Sequence, residues 1–169
     1  MITNTTILEL TVRAGSSKKQ NGQFKKIKKR GNAMIYVLMS SNSFSCAKAL
    51  KFFKKNEFKF TSINIIKNSI DTRVLRDILY LTDGGFEDII ATRSDFIQKS
   101  KINIDDLTVS ELISLIQHEP TILKKPIIIQ YDKQHHPYRL MVGYNSDDIE
   151  IFLRDKDEFN SQYNETTKN

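Results

Sequence analysis

Residues 34–55 read Met34-Ile-Tyr-Val-Leu-Met-Ser-Ser-Asn-Ser-Phe-Ser-Cys46-Ala-Lys-Ala-Leu-Lys-Phe-Phe-Lys-Lys55. Ile35 to Met39 is a short apolar run bounded by serine and asparagine, the pattern of a buried strand. From Phe44 onward the period changes: Ala49, Leu50 and Phe53 recur at helical spacing, and Ser43 stands where its hydroxyl can cap. Cys46 falls in the first turn of that helix. A helix N-terminus favours negative charge, which is the setting that thiol chemistry uses. A CxxC redox pair needs two sulfurs, however, and serine holds the first place, at Ser43. The stretch predicts a redox scaffold without its redox couple.

Outward from this unit the pattern stays regular. Phe60 to Ile65 is β-rich and partly alternating. Asp71 can cap a helix with apolar positions Val74, Leu75, Ile78, Leu79 and Leu81, stopped by Gly84-Gly85. Residues 86–119 are expected to be wholly helical, in short pieces. Thr108-x-x-Glu111 forms a capping box ahead of Val109, Leu112, Ile113 and Ile116. Pro126 to Tyr131 reads as a strand, Asp132 to Pro137 as a polar turn, and Leu140, Val142 and Tyr144 as the returning strand of a hairpin. Asn145 or Ser146 caps a last helix carrying Ile149, Phe152 and Leu153. The order β-α-β-α, helical insert, β-β-α predicts an α/β thioredoxin-like domain over 34–155. It has a mixed four-stranded sheet and an inserted all-helical subdomain at about 86–119. Residues 156–169 are expected to form a flexible C-terminal tail.

The chain has 169 residues, 39% of them hydrophobic, enough for one ordinary core. No apolar run is long enough to span a membrane, and the N-terminus lacks the pattern of a signal peptide. A single cysteine excludes an internal disulfide and fits a reducing compartment, so a cytoplasmic location is expected. The net charge of +6 is unevenly placed: residues 1–33 carry eight basic residues and one acid, which leaves −1 for residues 34–169. The body alone therefore gives no electrostatic warrant for strong DNA binding. The basic extension 1–33 is expected to be disordered, because it has little apolar surface to offset ordering entropy. It reads either as a passive tail or as a polybasic arm. A third reading holds that it is untranslated leader: Lys29-Arg30-Gly31 back-translates to a purine-rich string of ribosome-binding type, just ahead of Met34 as the true start.

Four strings, in order and at matching spacing, resemble the Spx family, a branch of the arsenate-reductase-like (ArsC-like) thioredoxin fold. They are Ser40-Ser-Asn-Ser-Phe-Ser-Cys46-Ala-Lys-Ala49, Glu87-Asp-Ile-Ile-Ala-Thr-Arg-Ser94, Leu123-Lys-Lys-Pro-Ile-Ile-Ile129 and Val142-Gly-Tyr-Asn-Ser-Asp-Asp-Ile149. The resemblance runs from Met34 to about residue 160. It implies a bacterial transcription regulator that binds the C-terminal domain of the RNA polymerase α subunit and alters promoter use under stress, with no cofactor. By the same resemblance Gly85 lies in the α-subunit contact surface, and Arg93 supports the promoter complex. Ser40, Lys125 and Pro126 belong to the switch or anion region. Pattern alone leaves Gly85 as a helix C-cap and Arg93 as a solvated or paired side chain.

Three departures from the family matter. Ser43 replaces the first switch cysteine, so the disulfide switch is expected to be absent. Lys125 replaces an arginine, keeping the charge and losing the bidentate fork. Asn42 replaces a proline. Promoter DNA is expected to be contacted only jointly with polymerase, and a protease adaptor is a further partner that a loose tail would suit. The alternative is enzymatic: a monothiol oxidoreductase or arsenate-reductase-like enzyme using Cys46, although the family nucleophile position is Ser43 and has no base nearby in sequence. A packed, inert cysteine is the plainer reading. His118, His135 and His136 have no ligand spacing for a metal, and Asp147-Asp148 suit a helix N-terminus better than acid/base work.

Overall fold

The structure is a computed structural model in which residues 34–154, except Lys101, are described. Four strands form one sheet: β1 (Met34–Met39), β2 (Phe60–Asn64), β3 (Ile127–Tyr131) and β4 (Pro137–Val142). Their order is β2-β1-β3-β4. β1 runs parallel to β2 and antiparallel to β3, and β3 pairs antiparallel with β4. The parallel step is bridged by helix α1 (Phe44–Lys55), as a parallel pair requires a long crossover. The sheet is mixed and four-stranded, as the sequence pattern predicts.

β1 and β3 are central, and their side chains separate into two cores. Ile35, Val37 and Ile128 face Ala49 and Phe53 of α1 together with Ile149 and Phe152. Tyr36, Leu38, Ile127, Ile129 and Tyr131 face the other way. Against them lie helix α2 (Thr72–Tyr80) and the insert, whose main helix is α5 (Val109–His118). This two-sided burial is why both strands read as unbroken apolar runs rather than alternating ones.

The insert comprises α3 (Phe86–Ile89), α4 (Asp95–Ser100), a 3-10 turn (Ile104–Asp106), α5 and a second 3-10 turn (Pro120–Ile122). The Thr108/Glu111 capping box forms in full. One departure from a purely helical segment is a backbone clasp. Ile90 and Leu123 form an antiparallel bridge, with Ala91 N–H donating to the Ile122 carbonyl at 2.7 Å and Lys124 N–H to that of Ile89 at 2.8 Å. The clasp closes the insert on itself just before β3. Gln117 Nε2 ties α5 to the start of α2 through the Ile70 carbonyl at 3.2 Å and Thr72 Oγ1 at 3.0 Å.

Several boundaries shift by a residue or more. β3 begins at Ile127; the Pro126 carbonyl accepts from Gly143 N–H at 2.8 Å, but proline has no N–H to give a ladder. β4 starts at Pro137 and ends before Gly143, whose φ of +83° turns the chain away, so Tyr144 lies outside the strand. α2 ends at Tyr80 with Leu81 as its C-cap, three residues before the glycine pair expected to stop it. The last helix opens as a 3-10 turn (Asp148–Glu150). Asn145 supports it from further upstream than a simple cap, its side chain accepting from Asp147 N–H at 2.9 Å. The expected extension and tail lie outside the described residues.

Phe53 is the packing centre of the α1 face. It is fully buried, with ring centroids 5.3–5.5 Å from those of Phe52, Phe58, Phe60 and Phe152. Phe53→Ala removes these contacts and leaves a cavity, so chemical denaturation should register a loss of roughly 3–5 kcal/mol.

Candidate functional site

The expected site residues divide between two places. The first is the β1–α1 junction. Ser43 occupies the N-cap position in extended conformation (φ −101°, ψ 121°), and its Oγ accepts from Cys46 N–H at 3.3 Å. Serine thus satisfies one of the helix's orphan donors. Ser40 is half-buried at the head of the turn, where its carbonyl accepts from Ser43 N–H at 3.4 Å. Asn64 Nδ2 donates to Ser41 Oγ at 2.7 Å and so fastens the turn to the end of β2.

Cys46 points inward. It is 1% exposed and unpaired. Reactive cysteines sit in partly exposed, electropositive surroundings, and this thiol is not open to solvent. Lys125 is half-buried before the buried Pro126, whose peptide bond is cis. Burial lowers the Lys125 pKa from its ordinary value, while the neighbouring Cys46 and Glu119 pull it partly back. Its Nζ donates to the Thr121 carbonyl at 3.1 Å. Ser43, Cys46 and Lys125 therefore do gather at one end of the sheet, as a packed and capped junction.

The second place is the loop between α2 and α3. Gly85 has φ +70° and ψ −128°, a conformation that L side chains rarely adopt. A Cβ built there would meet nothing within 4 Å, so the space above it is open. Gly85 precedes α3 rather than ending α2, which removes the helix C-cap reading. The loop is braced by Asp88, whose Oδ2 accepts from Gly84 N–H at 2.7 Å. Tyr80, the last residue of α2, is 80% exposed. Lys124 Nζ donates to the Glu87 carbonyl at 2.7 Å and steadies α3 from below.

Arg93 lies exposed in the tight turn after α3, apart from both places in sequence, where Ser94 N–H donates to the Ala91 carbonyl at 2.8 Å. His118 Nδ1 lies 2.7 Å from the Ser114 carbonyl, and His136 Nδ1 lies 3.3 Å from Asp132 Oδ2, four residues earlier. Among the described residues no cluster of three or more metal-ligating side chains occurs, and no helix is long and apolar enough to cross a membrane.

The family model described as the ArsC family matches residues 37–152. The chain belongs to the ArsC family. Within it, the Global transcriptional regulator Spx of Streptococcus agalactiae is 40% identical over 120 residues, covering 71% of this chain and 83% of that protein. An uncharacterized protein of Ureaplasma parvum is 40% identical over 124 residues, 72% of this chain and 96% of that one. The ArsC-family fold also appears in a possible arsenate reductase from Streptococcus mutans. That structure has TM-score 0.57 and 18% identity, over 70% of this chain and 99% of that one, and it speaks to the fold alone. This protein is an Spx-like member of the ArsC branch.

Some contacts around these places carry no local sequence signal. The Asp88 brace is one, because an aspartate in a helix's first turn reads equally well as dipole complementarity. The Tyr131–Asp77 bond is another: the Tyr131 hydroxyl donates to Asp77 at 2.9 Å across 54 residues. Burial and that bond push the Tyr131 pKa above its ordinary range.

Two outcomes test the junction. Ser43→Ala should cost about 1 kcal/mol in urea denaturation through the lost cap, and Ser43→Gly only a few tenths. Lys125 should titrate below the ordinary lysine value when followed by NMR. Its folded-state pKa is lowered, so the unfolded chain holds the proton more tightly, and wild type should gain stability relative to Lys125→Gln as pH rises through the folded-state value.

Proposed function

We propose that this protein is a non-enzymatic, Spx-like regulator of transcription that docks on the C-terminal domain of the RNA polymerase α subunit and changes promoter use under stress. The observation that carries this reading is its identity of about 40% to proteins named Global transcriptional regulator Spx, sustained over most of both chains. The Gly85 loop supports the docking role physically. A partner backbone can approach a residue without a side chain, the space above it is open, and Tyr80 at the end of α2 offers an exposed aromatic anchor.

The junction supports a regulator without a disulfide switch. Ser43 offers no sulfur, and Cys46 is packed in the interior. An enzyme reading would need a presented nucleophile with a base beside it, and neither position supplies one. Control would then act through the amount of protein present, with a protease adaptor as a partner and residues 156–169 as its handle. Arg93 would support the promoter complex, with DNA engaged together with polymerase. Action on polymerase places the protein in the cytoplasm.

Calorimetry of the full chain with purified α C-terminal domain tests this, run with and without reductant. Binding of equal strength under both conditions is expected. Gly85→Arg alone is an ambiguous control, because it strains the backbone as well as filling the space. Tyr80→Ser is the cleaner partner variant and should weaken binding at least several-fold. Amide shifts on docking should centre on residues 80–88. Binding that oxidation markedly raises would overturn the silent switch. No binding under either condition would overturn the docking reading and direct attention to thiol assays on Cys46.

A further inference from the structure

Helix α1 presents a face that neither core uses. Ala49 and Phe53 point into the domain, while Lys48, Lys51, Lys54 and Lys55 are all exposed. At 3.6 residues per turn the four lysines fall within an arc of about 120° and along about 10 Å of helix. Phe44–Lys55 contains no acidic residue, and among the described residues none of the four forms an ion pair. The nearest acid in sequence is Glu57, past the C-cap. Ala47, Leu50, Lys51, Lys54 and Lys55 line a shallow hollow along this side. At its upper end the Lys48 ammonium lies 4.7 Å from the centroid of the 75% exposed Phe44 ring and 5.7 Å from that of Tyr144.

Four like charges on one short helix repel one another, and they stand on a body whose net charge is −1. Their polyanion complement is better supplied by phosphate than by protein. Protein interfaces are depleted in lysine and enriched in arginine and aromatic residues, whereas lysine serves phosphate well as a flexible point charge. We propose that the lysine face of α1 is a nucleic-acid contact surface that binds the phosphate backbone of duplex DNA without reading sequence. The inference stands independently of α-subunit docking. It also qualifies the expectation that the body gives no electrostatic warrant for strong DNA binding: the basic residues cluster on one helix and are hidden in the net charge.

About four neutralised phosphates give a salt slope of roughly −3.6, and so about a hundredfold loss of affinity between roughly 50 and 200 mM salt. The test is fluorescence anisotropy of the full chain on a short duplex of random sequence, without polymerase, across a salt series. The comparison protein is the full chain carrying K48Q, K51Q, K54Q and K55Q together. Both proteins keep the basic extension, so its share of the slope cancels in the difference. The quadruple variant should bind at least tenfold more weakly at low salt, with a slope shallower by about three to four. The matching Lys→Arg variant should keep the parent slope, which separates charge from packing, and thermal melting should show all three folded. Equal affinity and slope for parent and Lys→Gln proteins would overturn the proposal. So would tighter binding of the parent to polyglutamate than to DNA at equal charge, which would assign the face to an acidic protein.

Discussion

The antiparallel pairing of β1 with β3 is the constraint on which the other contacts rest. Among the described residues these are the two central strands of the sheet, and each carries residues of both cores. Val37 pairs with Ile128 and looks toward Phe53, while Leu38 pairs with Ile127 and looks toward α2 and the insert. A slip of one residue would exchange the two sets, driving Tyr36 into the phenylalanine cluster and Val37 toward the larger opposite core. Register, helix placement and the position of the β1–α1 junction are thus decided together.

At that junction one atom separates two kinds of protein. An Oγ at position 43 can accept a backbone N–H and cap a helix as well as any residue can, but it cannot form an S–S bond with Cys46. Cys46 is enclosed, and the neighbouring Lys125 carries a burial penalty that Cys46 and Glu119 offset only in part. The architecture of this junction needs no second sulfur, because the cap, the strand and the proline-led β3 depend on hydrogen bonds and apolar burial.

How much of this was legible in the sequence follows from range. The capping box at Thr108, the cap at Ser43 and the periods of α1, α2 and α5 are local, so composition and spacing were enough. The ends of β4 and the last helix were less so, because a positive φ at Gly143 and a side-chain turn at Asn145 decide them. The clasp at Ile90, the Tyr131–Asp77 bond and the Gln117 tie join residues far apart in sequence, and no local pattern announces them. The Gly85 loop lies between these extremes: two glycines mark a break, but only the fold shows that the break opens α3 and leaves space above it.

The sheet's two edges have a consequence for the protein in concentrated solution. On β2 the exposed Thr61 and Ser62 are polar, and the lysines Lys59 and Lys67 stand just beyond its ends. On β4 the leading Pro137 lacks a donor, and the register shifts against Gln130 and Tyr131. Polar side chains, flanking charge, a missing donor and a local irregularity are the devices by which open sheets avoid recruiting a foreign strand. Each of the two boundaries therefore carries features that disfavour the addition of a foreign strand, which counts against the apolar ladder between them serving as a template for fibrils.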